Sequence, residues 1–252
     1  MIFVCVLCHN QAEYIEPMLE ALDDFSESII YMLDKCTDGS EAILRKRGIP
    51  YLKLQCKGHG AAEARQRGFE YIMDISDGAA DILFLDGDRI PNVLTEAICE
   101  DALKHGDIAL FRTEDDHRIT RNIWKNFTKS KYRVLNCPIY NKDKNAYNPY
   151  EFNWDCYVYG CGLLFSNRAM KKIASVQDGY LFNPATWGDW GYEETFTGLV
   201  ALTVGLKIIF MPDEIRLQGY LCRKPSEKKS YVLKGLRLDK VMTEMQKKLQ
   251  KK

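Results

Sequence analysis

Apolar residues fall along the chain in short continuous runs separated by helical stripes. Residues 2–8 form an apolar run of strand length, after which Tyr14, Ile15, Met18, Leu19 and Leu22 recur at helical spacing. A second run, residues 29–33, ends on Asp34 and is followed by the turn-forming stretch DKCTDGS. A short helix over 41–46 leads through Gly48 to a third strand, in which Leu52, Leu54 and Cys56 alternate with Tyr51, Lys53 and Gln55. The turn KGHG breaks that strand, and a helix is predicted over 61–75. The fourth run, residues 82–85, stops on Asp86-Gly87-Asp88. Pro91 then suits the first turn of a helix carrying Leu94, Ala97, Ile98 and Ala102.

The pattern loosens beyond this point. Residues 108–111 read as a strand, 113–155 as irregular, and 157–165 as another strand. A turn-rich segment leads to a helix starting near Tyr192, with Phe196, Leu199, Val200, Thr203 and Val204 on it, then to a strand-like KIIFMP and a Lys-rich helical tail. Repeated strand–helix units predict an α/β fold with a mostly parallel sheet, flanking helices and right-handed crossovers. Residues 1–220 make one domain, divided near residue 105 into two halves, and 221–252 form a basic tail. In such sheets ligands collect at the carboxyl ends of the strands. Asp34, the Gly58-His59-Gly60 turn and Asp86/Asp88 all fall at such ends.

Composition changes this picture little. The chain has 252 residues, 46% apolar and 28% charged, an ordinary balance for a globular protein with a sizeable core. Lys plus Arg equals Asp plus Glu, 35 each, so total charge selects no partner. Its distribution does more: residues 221–252 hold eleven Lys/Arg against three Asp/Glu, and 117–142 contain no acid at all. In that second stretch Trp124, Phe127, Tyr132 and Tyr140 interleave with the basic residues. No apolar run reaches the roughly 18 residues of a membrane span. The opening run is too short for an export signal and lacks a basic lead-in, so a cytoplasmic location and reduced cysteines are expected. Cys5 and Cys8 sit three apart in a strand and therefore point to opposite faces, which reads as two core thiols rather than a paired site.

Two carboxylates one residue apart at the end of a buried strand repel each other and resist desolvation. A hard cation carrying an anionic ligand reverses that sign, and aspartate oxygens suit Mg2+ or Mn2+. A tight turn into the next helix is the alternative. In GYEETF, Glu193 and Glu194 open a predicted helix, where acids are also common for electrostatic reasons alone. Trp187 and Trp190 beside them suggest an aromatic acceptor platform with a carboxylate general base. Gly58-x-Gly60 between strand and helix is a partial dinucleotide fingerprint, but Glu63 stands at the third glycine position and would repel a pyrophosphate.

These motifs, in this order, resemble the family-2-like glycosyltransferases of GT-A fold over about residues 2–215. VLCHNQAEYIEPMLEAL is similar to the family's opening strand and turn, which places Leu7, Cys8 and His9 against the nucleotide-sugar. YMLDKCTDGS is similar to its V-D-D-G-S-x-D-G-S segment, with Asp34 at the acid that contacts the base. GHGAAEARQRG resembles N-x-G-x-x-x-A-R-N-x-G, matching Gly60, Ala64, Arg65 and Gly68 and implying a place for Arg65 near the donor. ILFLDGDRIP resembles the D-x-D element: Asp86 would serve ribose and metal, Gly87 the close approach of donor, and Asp88 the metal. WGDWGYEETF is similar to the W-G-G-E-D acceptor segment of galactosyltransferase type. It implies acceptor contacts from Trp187, Trp190, Tyr192 and Glu193, and puts Glu194 where inverting members place the catalytic Asp.

There are departures. Leu7 replaces a proline and Gly58 an asparagine. Glu194 is one methylene longer than the usual Asp. Where several relatives supply a late histidine to the metal, this chain has Gln218 after Pro212, and no His follows His117. The resemblance implies transfer of a sugar from a nucleotide diphosphate donor, UDP-linked, to an acceptor hydroxyl with Mn2+ or Mg2+, leaning to inversion with Glu194 as base. A saccharide or lipid-linked glycan is the first acceptor class. Hydroxymethylated bases in phage-type DNA are the second, since cations and aromatics together suit phosphates and bases. The basic tail also offers peripheral contact with anionic membrane. A non-catalytic nucleotide-sugar-binding module is a different class of reading. A nucleotidyltransferase is disfavoured, because CHNQAEY is not the glycine- and Arg/Lys-rich loop that chemistry requires.

Overall fold

The computed structural model describes residues 1–58, 60–113, 133–134, 140–141, 146–147, 162–187, 193–212 and 214–219. The first four strands, β1 (Ile2–Cys8), β2 (Ile29–Asp34), β3 (Tyr51–Leu54) and β4 (Asp81–Asp86), lie in the order β3-β2-β1-β4 and pair in parallel throughout. They alternate with α1 (Ala12–Ala21), α2 (Ser40–Arg47) and α3 (Ala61–Ile75). The chain winds outward from β1 to β3, then returns to place β4 on the other side of β1. The topological switch therefore lies between β1 and β4, where α/β sheets open a ligand crevice at the strands' carboxyl ends. The residues found there are His9, just after β1, and Asp86, which ends β4, followed by Gly87 and Asp88.

The continuous apolar character of β1, β2 and β4 follows from burial on both faces. Cys5, Met32 and Phe84 face one core with α3, while Val4, Tyr31 and Leu83 face the other with α1. β3, at the sheet edge, keeps only the partial burial expected of an edge strand. Gly48, in the left-handed conformation, closes α2, with its N–H bonded near the helix end.

After β4 comes β5 (Arg89–Pro91), α4 (Glu96–His105), β6 (Ile108–Leu110) and β7 (Arg112–Thr113). Three short strands follow: β8 (Arg133–Val134), β9 (Tyr140–Asn141) and β10 (Ala146–Tyr147), the last two forming a separate hairpin pair. Then come β11 (Gly162–Phe165), α5 (Asn167–Val176), α6 (Glu193–Thr203), β12 (Ile208–Phe210) and β13 (Arg216–Gly219). The main sheet has eight strands in the order β3-β2-β1-β4-β11-β6-β12-β8. β11 runs antiparallel to both β4 and β6, and β12 returns parallel to β6. A second sheet, β5-β13-β7, covers the region after Asp88.

Three expectations are corrected. Pro91 does not open a helix: it ends β5, paired with Leu217, and α4 begins at Glu96 under a Thr95 cap whose hydroxyl accepts from the Ile98 N–H. Leu94 therefore packs from the preceding loop. Cys56 lies past β3, in the turn that enters α3. α5 has no counterpart in the expected elements. It is capped by Ser166 and buries Ala169, Met170 and Ile173 in the core where Phe84 of β4, Phe165 of β11 and Phe182 of the loop after α5 meet edge to face at 5.3–6.2 Å. Of the strand expected over 157–165, residues 162–165 form β11, and the rest lie outside the described residues, as do most of the basic stretch and all of the tail.

Candidate active site

The turn at the end of β4 is fastened to the end of β1. The Gly87 N–H donates to the Leu7 carbonyl at 2.7 Å. A Cβ at position 87 would stand 2.6 Å from that same carbonyl oxygen and 2.5 Å from Gln11 Oε1. Only glycine fits so close an approach. Leu7 thus acts here through its main chain, its side chain being part of the core. Gln11, which sequence reasoning passed over, wedges its amide between the two turns and accepts from the His9 N–H at 3.3 Å.

The two acids flanking Gly87 each have a cationic neighbour. Arg65 Nη2 donates to Asp86 Oδ1 at 2.7 Å, and Arg89 Nε lies 3.9 Å from Asp88 Oδ1. Asp88 is buried, with 8% of its surface exposed, while the Asp86 side chain is one-third exposed, at 33%. Arg65 does more than balance Asp86. It lies on α3, is itself buried, and its Nη1 donates to Glu194 Oε1 at 2.8 Å. Glu194, in the first turn of α6, is also buried. One guanidinium therefore joins the end of β4 to the start of α6.

α6 is brought there by a second buried polar residue, Gln66. Its Oε1 accepts from the Leu181 and Phe182 N–H groups at 3.0 and 2.9 Å, and Thr197 Oγ1 on α6 bonds the Leu181 carbonyl. The loop before α6 is thus clamped between α3 and α6. Gln66, uncharged, gave no chemical signal in the sequence; next to Arg65 on α3, it tethers the loop before α6.

Asp34 sits at the end of β2 with 7% exposure. Its Oδ1 accepts from the Cys56 N–H at 2.8 Å, and its Oδ2 is so close to Gly60 that a Cβ there would overlap it. Gly60 is in the left-handed region, at φ 74°, so both conformation and contact require glycine. Asp34 therefore braces the turn between β3 and α3. Its main-chain carbonyl holds His9 Nδ1 at 2.7 Å. A carbonyl only accepts, so Nδ1 carries the proton.

In the segment expected to bind acceptor, Trp187 is half-buried rather than openly exposed. Its Nε1 donates to the Phe182 carbonyl at 3.2 Å, Tyr180 meets it edge to face, and the Arg67 guanidinium lies 5.8 Å from its ring centre. Trp190 and Tyr192 lie outside the described residues, and of Glu193 only the backbone, at the start of α6, is described.

Cys8 is buried as expected of a core thiol but has a partner that the C-x-x-C spacing did not reveal. Cys36, half-buried in the loop after β2, places its Sγ 3.9 Å from Cys8 Sγ. Cys5 points to the opposite face of β1 and is buried in the other core, as the odd offset requires.

The site offers hard oxygen donors of the type that Mg2+ and Mn2+ take, in Asp88 and the adjacent Asp86. Among the described residues no group of three or more His, Cys, Asp or Glu comes together as a metal site. That donor set fits a hard ion that keeps waters and phosphate oxygens as its remaining ligands. Gln218, which the sequence resemblance sets against a metal-binding histidine, is exposed and pairs with Ile90 in β5, two residues beyond Asp88.

No family model and no curated protein matches the sequence. Solved structures do match by shape. TarS 1–349 of S. aureus superposes with a TM-score of 0.54 at 15% identity, over 86% of this chain and 60% of that one. The mannosyltransferase PcManGT of Pyrobaculum calidifontis gives 0.53 at 12% identity, over 92% of this chain and 60% of that one. Glucosyl-3-phosphoglycerate synthase of Mycobacterium tuberculosis gives 0.52 at 12% identity, over 97% and 79%. The chain thus spans 60% of the length of the first two. At these identities the likeness speaks for architecture: the chain has the GT-A fold, an α/β sheet flanked by helices, shared with glycosyltransferases of known structure.

Proposed function

We propose that the chain is a metal-assisted glycosyltransferase that moves a sugar from a nucleotide diphosphate donor, UDP-linked, to an acceptor hydroxyl with inversion. The observation that carries this reading is Arg65. It bonds Asp86 at the end of β4 and Glu194, 129 residues away in sequence, so that the donor-side and acceptor-side motifs share one buried cation. The fold adds support. The matched mannosyltransferase structure holds GDP-Man and Mn2+, and the matched glucosyl-3-phosphoglycerate synthase holds Mn2+, UDP-glucose and phosphoglyceric acid.

In this reading His9 and Asp34 line the base side of the crevice, with Leu7 and Cys8 supporting them from β1. Asp86 faces the ribose. Asp88, with Asp86 beside it, holds the divalent ion, which when bound supplies positive charge to the departing diphosphate. Arg65 fixes Asp86 and Glu194 relative to each other. The acceptor oxygen attacks the anomeric carbon, its proton passes to the Glu194 carboxylate, and the bond from that carbon to the diphosphate oxygen breaks, releasing the nucleotide diphosphate. Trp187 with Trp190, Tyr192 and Glu193 forms the acceptor side, with a saccharide or lipid-linked glycan as acceptor.

A panel of nucleotide sugars with Mn2+, scored for free nucleotide, tests the donor assignment. In the active pair, Glu194→Gln lowers transfer by about 10²–10⁴-fold while nucleotide binding persists. Full transfer by that variant assigns Glu194 to structure alone, as an ion-pair partner of Arg65.

A further inference from the structure

The loops after β1 and β2 face each other across the crevice edge. Asn10 Oδ1 accepts from the Thr37 N–H at 2.7 Å, and Asp38 Oδ2 from the Ala12 N–H at 2.9 Å. Between these two ties lie the two sulfurs, 3.9 Å apart, with Cys36 Sγ also 3.2 Å from the Cys8 carbonyl oxygen and 3.4 Å from the Asn10 nitrogen. Cys8 is the last residue of β1 and is buried, whereas Cys36 is partly open to solvent. This is the arrangement of an attacking thiol with a resolving thiol behind it. We propose that Cys8 and Cys36 form a reversible disulfide site, open to small-molecule disulfides, whose oxidation state sets the affinity of the adjoining nucleotide subsite.

The environment suits the two roles. Cys36 Sγ accepts the Asn10 N–H, and its pKa is drawn down to about 7, chiefly by the hydrogen bond it shares with Cys8. The same hydrogen bond, followed by burial, pushes the Cys8 thiol up. Other described cysteines are not so placed: burial pushes Cys5, Cys56 and Cys99 up to about 12.

With oxidised glutathione as oxidant, the Cys36 thiolate attacks one sulfur of its disulfide. That S–S bond breaks, a Cys36–glutathione mixed disulfide forms, and one glutathione leaves as thiolate and takes up a proton. Cys8, losing its proton, then attacks Cys36 Sγ; the mixed disulfide breaks and the second glutathione leaves as a thiol. The protein gives up two electrons and two hydrogens, and the oxidant is reduced to two thiols. Closing the sulfurs from 3.9 Å to the roughly 2.05 Å of a disulfide draws the loop after β2 toward β1. Cys36 is two residues beyond Asp34, and Cys8 immediately precedes His9, whose ring is hydrogen-bonded to the Asp34 carbonyl. Contraction therefore acts on the pair placed at the nucleotide base. This second half of the proposal rests on the nucleotide-sugar reading above.

The test treats the full chain with oxidised glutathione, maps its peptides without reduction, and measures UDP binding in the presence of Mn2+ before and after. A Cys8–Cys36 cross-linked peptide, reversed by dithiothreitol, together with UDP affinity lowered by about tenfold, is expected. Cys36→Ser removes both the cross-link and the response to oxidant. Glutathione remaining on Cys36 without cross-linking, or no reaction there, overturns the site. A cross-link that leaves UDP affinity unchanged overturns the control. A chain that cross-links but binds no UDP in either state overturns the proposed function and keeps the disulfide site.

Discussion

Replacing Arg65 by methionine keeps most of the aliphatic volume on α3 and removes the cation between Asp86 and Glu194. The two contacts are not equal. Arg65 and Glu194 have side chains only 1% and 7% exposed, so water cannot take over the lost charge, whereas Asp86, one-third exposed, can be resolvated. Breaking one partner out of a buried ion pair costs about 3–5 kcal/mol. The loss should come mainly from the Glu194 side, and in a chain of this size it lowers Tm by about 10 °C. The assay is chemical unfolding of five proteins: wild type, Arg65→Met, Glu194→Leu, the double variant of these two, and Arg65→Met with Asp86→Asn. The double variant, with neither charge left at the buried contact, should recover at least half of what Arg65→Met loses, while Arg65→Met combined with Asp86→Asn recovers far less. Simple additivity in the Arg65/Glu194 cycle, or a loss under about 1 kcal/mol for Arg65→Met, would refute the view that this guanidinium holds the site together.

Other outcomes follow from the same geometry. Gly60→Ala must adopt φ near 74° and displace Asp34 Oδ2, so it should lose about 1–3 kcal/mol in urea unfolding and weaken nucleotide binding together. Gly87→Ala meets a backbone oxygen that cannot swing aside, unlike the Gln11 amide, and should cost about 1–3 kcal/mol even when paired with Gln11→Ala. Thiolates, not thiols, react with iodoacetamide. Alkylation of Cys36 should therefore rise with pH around a midpoint near 7, well below the ordinary 9.0, and fall away in acid; peptide mass spectrometry across pH 5–10 reads it. Gln66→Leu removes the acceptor for two backbone N–H groups and should lower transfer activity and stability alike, by about 1–3 kcal/mol for the latter.

The first half of the fold was legible because its signals are local. Buried parallel strands write themselves as continuous apolar runs, and the turns between them carry glycines and acids. Four strands and three helices follow from residues 2–86 on that basis, and Asp34, Asp86 and Asp88 fall at strand ends as the periodicity requires. α5 went unread although NRAMKKIASV is amphipathic, with Ala169, Met170 and Ile173 buried and Lys171 and Lys172 exposed: it is short, and the turn formers on either side dominated the reading. Pro91 misled for a different reason. Proline suits a first helical turn and an edge strand equally well, and pairing with β13, more than 120 residues away, decides between them. The site shows the same division. Asp86 and Glu194 could be singled out by residue type, but their union through Arg65 is a tertiary fact. Gln66 and Gln11 act only through hydrogen bonds to distant backbone, and the Cys8–Cys36 approach depends on the register of β1 against β2.

Calorimetric titration of UDP into wild type and Asp88→Asn, each with and without Mn2+, is the most direct check on the nucleotide-sugar reading. Binding should depend on Mn2+ in the wild type, and that dependence should vanish in Asp88→Asn. UDP binding indifferent to both the ion and the substitution, or no binding at all, would contradict it.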